Sequence, residues 1–132
     1  MSDFTSPTKE AFAALATLDT DGPVQMLNLV KLKSSAEYKD GAQSTALAAF
    51  TAYRAGAAPI FQKVGGEIIW AGQPQAMIIG PAGNEDWDIA FIAQYPGKEA
   101  FLTMLNDPDY AKIAHHRAAA VLNSRLVCMT PL

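Results

Sequence analysis

The segment Val24-Gln25-Met26-Leu27-Asn28-Leu29-Val30-Lys31-Leu32 limits the possible folds more than any other stretch of the chain. Along a strand, alternate side chains point to opposite faces. Val24, Met26, Val30 and Leu32 fall on one face, and Leu27 and Leu29 on the other. A strand that is apolar on both faces is covered on both faces. Other elements must therefore lie above this strand and below it.

The rest of the chain supplies a cover for one side. Ser6 reads as an N-cap with Pro7 at the first helical position, and Phe12, Leu15 and Ala16 continue a short amphipathic helix to about Asp19. The turn Thr20-Asp21-Gly22 delivers the chain into the strand described above. After a polar loop, 34–43, a long helix is predicted over about 44–64, with Leu47, Phe50, Tyr53, Ala57, Ile60, Phe61 and Val64 as its stripe and Pro59 on its outward side. Gly65-Gly66 ends that helix and opens a second strand, 67–71. A short strand or continuation is expected over 76–79. A clear strand follows over 87–95, with Trp87, Ile89, Phe91, Ala93 and Tyr95 on one face and Asp88, Ala90, Ile92 and Gln94 on the other. A helix over about 98–105 is broken and recapped at Asp107-Pro108. A further helix then runs through Tyr110 to about Asn123, and a last strand covers 125–129.

This order is the α+β arrangement of a ferredoxin-like βαββαβ protomer with an extra N-terminal helix: a four-stranded antiparallel sheet with its helices on one face. One domain is expected over 1–132, with 1–21 as a helical extension and 22–132 as the core. No further element remains to cover the second face of the sheet. A second copy does so economically, two sheets meeting face to face about a two-fold axis. Composition agrees, since only 17% of residues are charged, against about 25% in an average globular protein.

Several classes of function are excluded. The net charge is −3 and the ten Lys and Arg residues are scattered, which argues against a nucleic-acid partner. No apolar run reaches the roughly 18 residues that a membrane span needs. Ser2, Asp3 and Phe4 do not form the positive start of a signal peptide. The single cysteine, Cys128, cannot form an internal disulfide, and its apolar neighbours make it a small core residue; a cytoplasmic location is expected. There is no phosphate-cradling glycine loop and no Gly-x-Ser-x-Gly elbow. His115 and His116 are adjacent, so they point about 100° apart on a helix and cannot readily share a metal. No metal or organic cofactor is implied.

The sharpest chemical question is Arg117. On the predicted helix, Tyr110, Ile113, Ala114, Ala120 and Val121 share one face with Arg117 at its centre, while Lys112, Ala119 and Asn123 lie opposite, toward solvent. An arginine in an apolar stripe needs a partner. Either Asp88 meets it as a structural ion pair, or it waits for an anionic or carbonyl-bearing ligand. Asn28 is the one polar residue on its face of the first strand, where its amide either orients such a ligand or satisfies a neighbouring backbone group. Tyr53 and His116 are candidate proton donors at the rim of the site, with core packing and a surface position as their ordinary alternatives. Trp87 is a core or interface anchor, or else a wall of the site. The expected site therefore has Arg117, Asn28 and His116 in chemical roles and Tyr53, Trp87 and Asp88 around the ligand. The competing expectation is a non-catalytic homodimer, a ligand sensor or accessory protein, held by an Arg117–Asp88 pair.

The stretch Pro23 to Lys33 is followed in order by Gly65-Gly66, Trp87-Asp88, Tyr95-Pro96, Asp107-Pro108-Asp109-Tyr110, His116-Arg117 and Ser124-Arg125-Leu126. This series resembles an uncharacterised bacterial family, domain of unknown function 1330, within the dimeric α+β-barrel superfamily. The match runs from about Gly22 to Val127 and leaves the N-terminal helix outside it. The resemblance implies a ferredoxin-like protomer, a homodimer and a pocket near the sheet, but no particular reaction. The wider superfamily is similar in fold to cofactor-independent monooxygenases, small-ring isomerases, haem-degrading enzymes and ligand-sensing regulators, among which fold does not select.

Overall fold

In a computed structural model describing residues 4–132, the strand predicted over Val24–Leu32 forms over those nine residues (β1). It is hydrogen-bonded along both sides, antiparallel to β3 (Ile89–Tyr95) and to β4 (Val121–Met129), and β2 (Glu67–Gly72) lies outside β3. The sheet order is β2-β3-β1-β4. Four helices complete the chain: α1 (Lys9–Ala16), α2 (Ala46–Lys63), α3 (Lys98–Leu105) and α4 (Pro108–Ala120).

The even-numbered face of β1 carries the helices. At one end Val24 and Met26 pack with Ala93 and Tyr95 of β3, Ile60 of α2, and Phe101 and Met104 of α3. At the other end Val30 packs with Ala49 and Phe50 of α2 and with Ala120 and Val121 at the α4–β4 junction. Phe91 touches both clusters, and Asn28 is the position of β1 between them. Phe12 and Leu15 dock α1 on the first cluster, and the Lys98 ammonium donates to the carbonyls of Ala16 and Leu18 at the end of α1. Burying each large side chain such as Phe50 or Met26 contributes about 1.5–3 kcal/mol, so the two clusters hold the helices to the sheet.

Helix ends follow local chemistry. The hydroxyls of Thr45 and Thr8 cap α2 and α1 by accepting from Ala48 N–H and Ala11 N–H, each at 3.0 Å. The N-cap of α1 is thus Thr8 rather than Ser6. Pro7 lies outside the helix, which is shorter than predicted and ends at Ala16. Pro59 sits exposed in an otherwise continuous α2. That helix closes with Gly65 at φ +85°, where Gly65 N–H donates to Gln62 and Gly66 N–H to Phe61, the paired bonds of a glycine C-cap.

Three expectations are corrected. The predicted short strand over 76–79 does not form, because β2 is already the outermost strand and no neighbour offers a ladder. The strand predicted from Trp87 begins at Ile89: the Leu32 N–H donates to the Asp88 carboxylate at 2.8 Å, so a side chain replaces the next rung. Trp87 accordingly belongs to neither apolar cluster, whereas Ile89 packs against the second. The helix carrying Arg117 stops at Ala120 and β4 starts at Val121 without a loop, so Val121 and Asn123 are strand residues. Ala119, expected toward solvent, is 2% exposed. The 33–45 connection lies over that helix end, with Lys33 N–H donating to Ala120, Glu37 N–H to Ala119 and the Lys33 ammonium to Ala118. These donors satisfy carbonyls that a helix C-terminus otherwise leaves without partners. Ser2 and Asp3, used above against a signal peptide, lie outside the described residues. No helix among the described residues is long and apolar enough to cross a membrane.

A Cβ added at Gly65 would sit 2.7 Å from Pro96 Cγ in a left-handed conformation. Gly65→Ala is expected to cost about 1–2 kcal/mol from the backbone alone, lowering the thermal midpoint by on the order of 5 °C. An unchanged midpoint in a calorimetric scan would refute this account of the α2–β2 corner.

Candidate functional site

Asp107 accepts from Asp109 N–H at 2.8 Å and Pro108 takes the first helical position, which sets the rotational phase of α4. Tyr110 and Arg117, seven residues apart, then share a stripe facing α2 and the sheet. Tyr53 of α2 meets Tyr110 hydroxyl to hydroxyl at 2.7 Å, their rings edge to face at 6.1 Å. Burial, then the neighbouring Tyr110 oxygen, pushes the Tyr53 phenol well above its ordinary pKa of 10, while the charge of Arg117 pulls the other way. Tyr53 is therefore a protonated phenol at any physiological pH.

Arg117 does not meet Asp88. One guanidinium nitrogen donates to the Thr5 carbonyl, and the other lies 3.3 Å from Ser124 Oγ. The Ser124 hydroxyl donates to the Phe4 carbonyl at 2.7 Å. Phe4 N–H donates at 2.8 Å to Asn123 Oδ1, which also accepts from Arg125 at 3.0 Å and from Ser124 N–H. The chain at Phe4 and Thr5 is thus strapped along the start of β4, an edge strand, with Arg117 as one fastening. Asp88 is held by Leu32 N–H and lies 3.6 Å from the Lys31 ammonium, which is also 3.2 Å from Asp86. The expected Arg117–Asp88 pair does not form: the Asp88 carboxylate, just before β3, accepts from Leu32 N–H where the ladder ends. Among the described residues no carboxylate pairs with Arg117.

Asn28 follows the ordinary alternative: its amide donates to the Met26 carbonyl of its own strand at 3.0 Å. Its Oδ1 accepts nothing from the described residues. Directly opposite Asn28 in register lie Phe91 on β3 and Leu126 on β4. The Arg54 guanidinium lies over the Phe91 ring, 5.9 Å from its centre, and Leu126 is 43% exposed. The layer between helices and sheet therefore opens at the β4 edge. Asn28 shares the helix-facing side of the sheet with Phe91 and Leu126, Tyr53 and Tyr110 face each other between α2 and α4, and the charge of Arg117 reaches Tyr53. No described carboxylate neutralises either arginine.

The remaining candidates lie elsewhere. The hydroxyl of Tyr38, from the loop after β1, is hydrogen-bonded to His116 Nδ1 at 2.6 Å, with the His115 and His116 rings 4.0 Å apart. Trp87 stacks on the Arg125 guanidinium at 5.1 Å, with Phe4 over the same cation at 5.1 Å and Glu85 3.6 Å from it. The six predicted site residues thus separate into Asn28, Tyr53 and Arg117 in the layer beneath α2 and α4, His116 against the 33–45 loop, and Trp87 with Asp88 at the start of β3. Two surface depressions, of about 530 Å³ beside Leu102, Asn106 and Pro108 and about 280 Å³ beside Leu18, Thr20 and Cys128, contain none of the six. Burial pushes the Cys128 thiol up, which suits a packing role. Among the described residues no three His, Cys, Asp or Glu side chains gather as a metal site.

Tyr110, Ser124, Arg54 and Tyr38 were missed from sequence. Tyr110 stands seven residues before Arg117 on the same stripe, and Ser124 follows from the β1–β4 register. Both carried a signal that helix or strand periodicity could have supplied. Nothing local announces Tyr38, whose loop is placed by capping α4.

Burial, then the neighbouring His115, lowers the His116 pKa from 6.5. The unfolded chain therefore binds more protons between the two values. Stability is complete above about pH 6.5 and declines as pH falls toward the folded value. Thermal midpoints between pH 7.5 and 5.0 should fall in the acid half of the range, and more weakly in His116→Asn. Parallel curves for the two proteins would contradict this.

The 41–130 segment matches the family described as a domain of unknown function, DUF1330. No curated protein matches. Among solved structures, the methylated RPA0582 protein is 44% identical, with a TM-score of 0.94 over 100% of this chain and 97% of that one. The same protein of Rhodopseudomonas palustris, of unknown function, superposes with a TM-score of 0.93 at 44% identity, over 99% and 98% of the two chains. A dimeric protein of ferredoxin-like fold from Bacteroides fragilis matches at 14% identity and a TM-score of 0.53, over 83% and 97%. SnoaB, a cofactor-independent oxygenase from Streptomyces nogalater, matches at 16% identity and 0.54, over 84% and 94%. Coverage beyond two thirds of the chain at 44% identity, together with the family match, leads to one conclusion: this ferredoxin-like α+β chain belongs to the DUF1330 family.

Proposed function

We propose that this protein is a cytoplasmic homodimer that binds a small carboxylate- or carbonyl-bearing metabolite in the layer between α2, α4 and the sheet. The observation that carries this reading is Arg117: a half-buried guanidinium with only neutral oxygens as described partners. The Thr5 carbonyl stands where an oxygen of a ligand would accept the same hydrogen bond. Arg54 adds a second cation without a described carboxylate, and the free Asn28 Oδ1 adds an acceptor. A carboxylate between two such arginines gains charge-assisted hydrogen bonds, which are roughly twice as strong as neutral ones. Tyr53 is a protonated donor beside Arg117, whereas His116 lies against the 33–45 loop with Tyr38, outside this group. That set suits acid–base work on a carbonyl compound without metal or organic cofactor, as in cofactor-independent oxygenases or isomerases. SnoaB, similar in fold, is consistent with this class.

A second reading is supported by the same contacts. If Arg117 serves to fasten the N-terminal strap, the protein is a non-catalytic dimer, a ligand sensor or accessory protein.

Pyruvate, acetate and benzoate, added to the full chain and to a chain lacking residues 1–6, separate the two. On the first reading at least one carboxylate raises the thermal midpoint by several degrees at saturation, and binds the shortened chain more tightly because Thr5 no longer competes. Arg117→Met should abolish that rise. The same substitution removes a charge-assisted hydrogen bond worth about 1.5–3 kcal/mol, so its own midpoint should drop by roughly 5 °C. A drop with no carboxylate effect in either chain length would leave the strut reading standing and defeat the binding one.

A further inference from the structure

Phe4 and Thr5 run beside the start of β4, yet they do not add a strand to the sheet. Among the described residues, no backbone group of either pairs with another backbone group. Side chains hold them instead. Asn123 Oδ1 accepts from Phe4 N–H at 2.8 Å, the Ser124 hydroxyl donates to the Phe4 carbonyl at 2.7 Å, and Arg117 donates to the Thr5 carbonyl. The Phe4 ring lies 5.1 Å from the Arg125 guanidinium, and Trp87 lies 5.1 Å from the same cation. A sheet edge ordinarily recruits an extended segment through its own N–H and C=O groups. Here side chains read an amide, two carbonyls and an aromatic ring, which is how a small-molecule site reads its ligand.

Two further observations separate this group from a packing contact. Asn123 and Ser124 are the buried polar residues among those described, 5% and 7% exposed, and each gives a side-chain hydrogen bond to the Phe4 backbone. Their occupant is joined to the fold by little else: the Phe4 ring is 52% exposed, and Thr5, Ser6 and Pro7 are exposed. Helix α1 does not depend on it, being capped by Thr8 and docked through Phe12, Leu15 and Lys98.

The charges indicate what would fit better than Thr5. Arg117 receives only neutral oxygens from the described residues. A peptide ending at that point would place a carboxylate there, and a charge-assisted hydrogen bond is roughly twice as strong as a neutral one. Arg125 already has Glu85 3.6 Å from its Nε, so its face suits an aromatic ring rather than a second anion.

We infer that the slot filled by Phe4 and Thr5 is a binding site for N-acylated dipeptide acids with an aromatic first residue, and that the N-terminal segment is its tethered competitor. Asn123 takes the first amide N–H of such a compound, Ser124 its first carbonyl, Arg125 its ring and Arg117 its carboxylate. This rests on the reading of Arg117 as a carboxylate site proposed above and names the ligand class. A tethered competitor acts at an effective concentration of about millimolar, so a free ligand must displace it.

The probe is N-acetyl-L-phenylalanylglycine, titrated calorimetrically into the full-length chain and into full-length Phe4→Ala, which keeps the backbone of the strap and removes its ring. It should bind both proteins, and Phe4→Ala several-fold more tightly. On Phe4→Ala, N-acetyl-L-alanylglycine should bind several-fold more weakly than the probe. The uncharged N-acetyl-L-phenylalanylglycinamide should bind about tenfold more weakly. In the wild-type chain, saturating probe should speed exchange of the Phe4 amide hydrogen with solvent, because Asn123 then holds the N–H of the probe. Equal affinity for the phenylalanyl and alanyl compounds, or unchanged Phe4 exchange at saturation, would overturn the slot and leave Arg117 as a site for simple carboxylates. The same follows if the probe gives no heat while acetate or pyruvate raises the thermal midpoint. No response to any of these compounds would overturn both readings.

Discussion

Everything in this fold depends on β1 having no free side. Its backbone is bonded to β3 along one edge and β4 along the other, and its even face receives α2, with the α3 and α4 ends at either extreme. Strand pairing fixes which residues share a face, so once β1 is centred the helix-facing positions of β3 and β4 follow. A one-residue slip would turn Val24, Met26 and Val30 away from the helices and expose them together. Asn28 is the one interruption in that face, and it divides the apolar packing into two clusters joined through Phe91. The candidate site lies at this division because the division is where polar side chains can be accommodated at least cost.

The charge on Arg117 is handled in an economical way. Instead of a carboxylate, which would neutralise it, the chain offers backbone and hydroxyl oxygens from Thr5 and Ser124. Neutral acceptors satisfy the hydrogen-bonding need of a guanidinium and leave its field largely intact. The same polar network ties Phe4 to Asn123, which also accepts from Arg125, so the residues before α1 share the hydrogen bonds of Arg117 although they lie outside the matched family segment. Asp88, whose sequence position invited a pairing with Arg117, serves the strand end and Lys31 instead.

Much of this was legible in the sequence, and the reasons are specific. β1 and α3 were predicted at their observed limits because each has unambiguous periodicity and a clear break on both sides. The Gly65-Gly66 corner and the Asp107-Pro108 cap carry residue types that few other conformations favour. The errors have one physical origin, namely that partners set the element type. Val121 to Asn123 continue the helical pattern but belong to the strand that pairs with β1, and Ala76 to Ile79 read as a strand but have no strand to join. For the site, sequence identified the charge that needed explaining but not its partners. Thr5 lies 112 residues from Arg117, and no local spacing connects them. Arg54 carried no signal in the sequence; the fold places its guanidinium over the Phe91 ring.

The junction between α4 and β4 contains no loop: Ala120 ends the helix and Val121 begins the strand. Helical phase and strand pleat are therefore geared to each other, like two wheels on one shaft. Adding or removing a residue between Arg117 and Ser124 would swing the guanidinium by about 100° and turn the hydroxyl to the opposite side of the sheet. The two groups cannot be retuned separately by small changes in length. Variation in the surroundings of Arg117 must come instead from side-chain identity at positions such as Asn28, Tyr53 and Arg54.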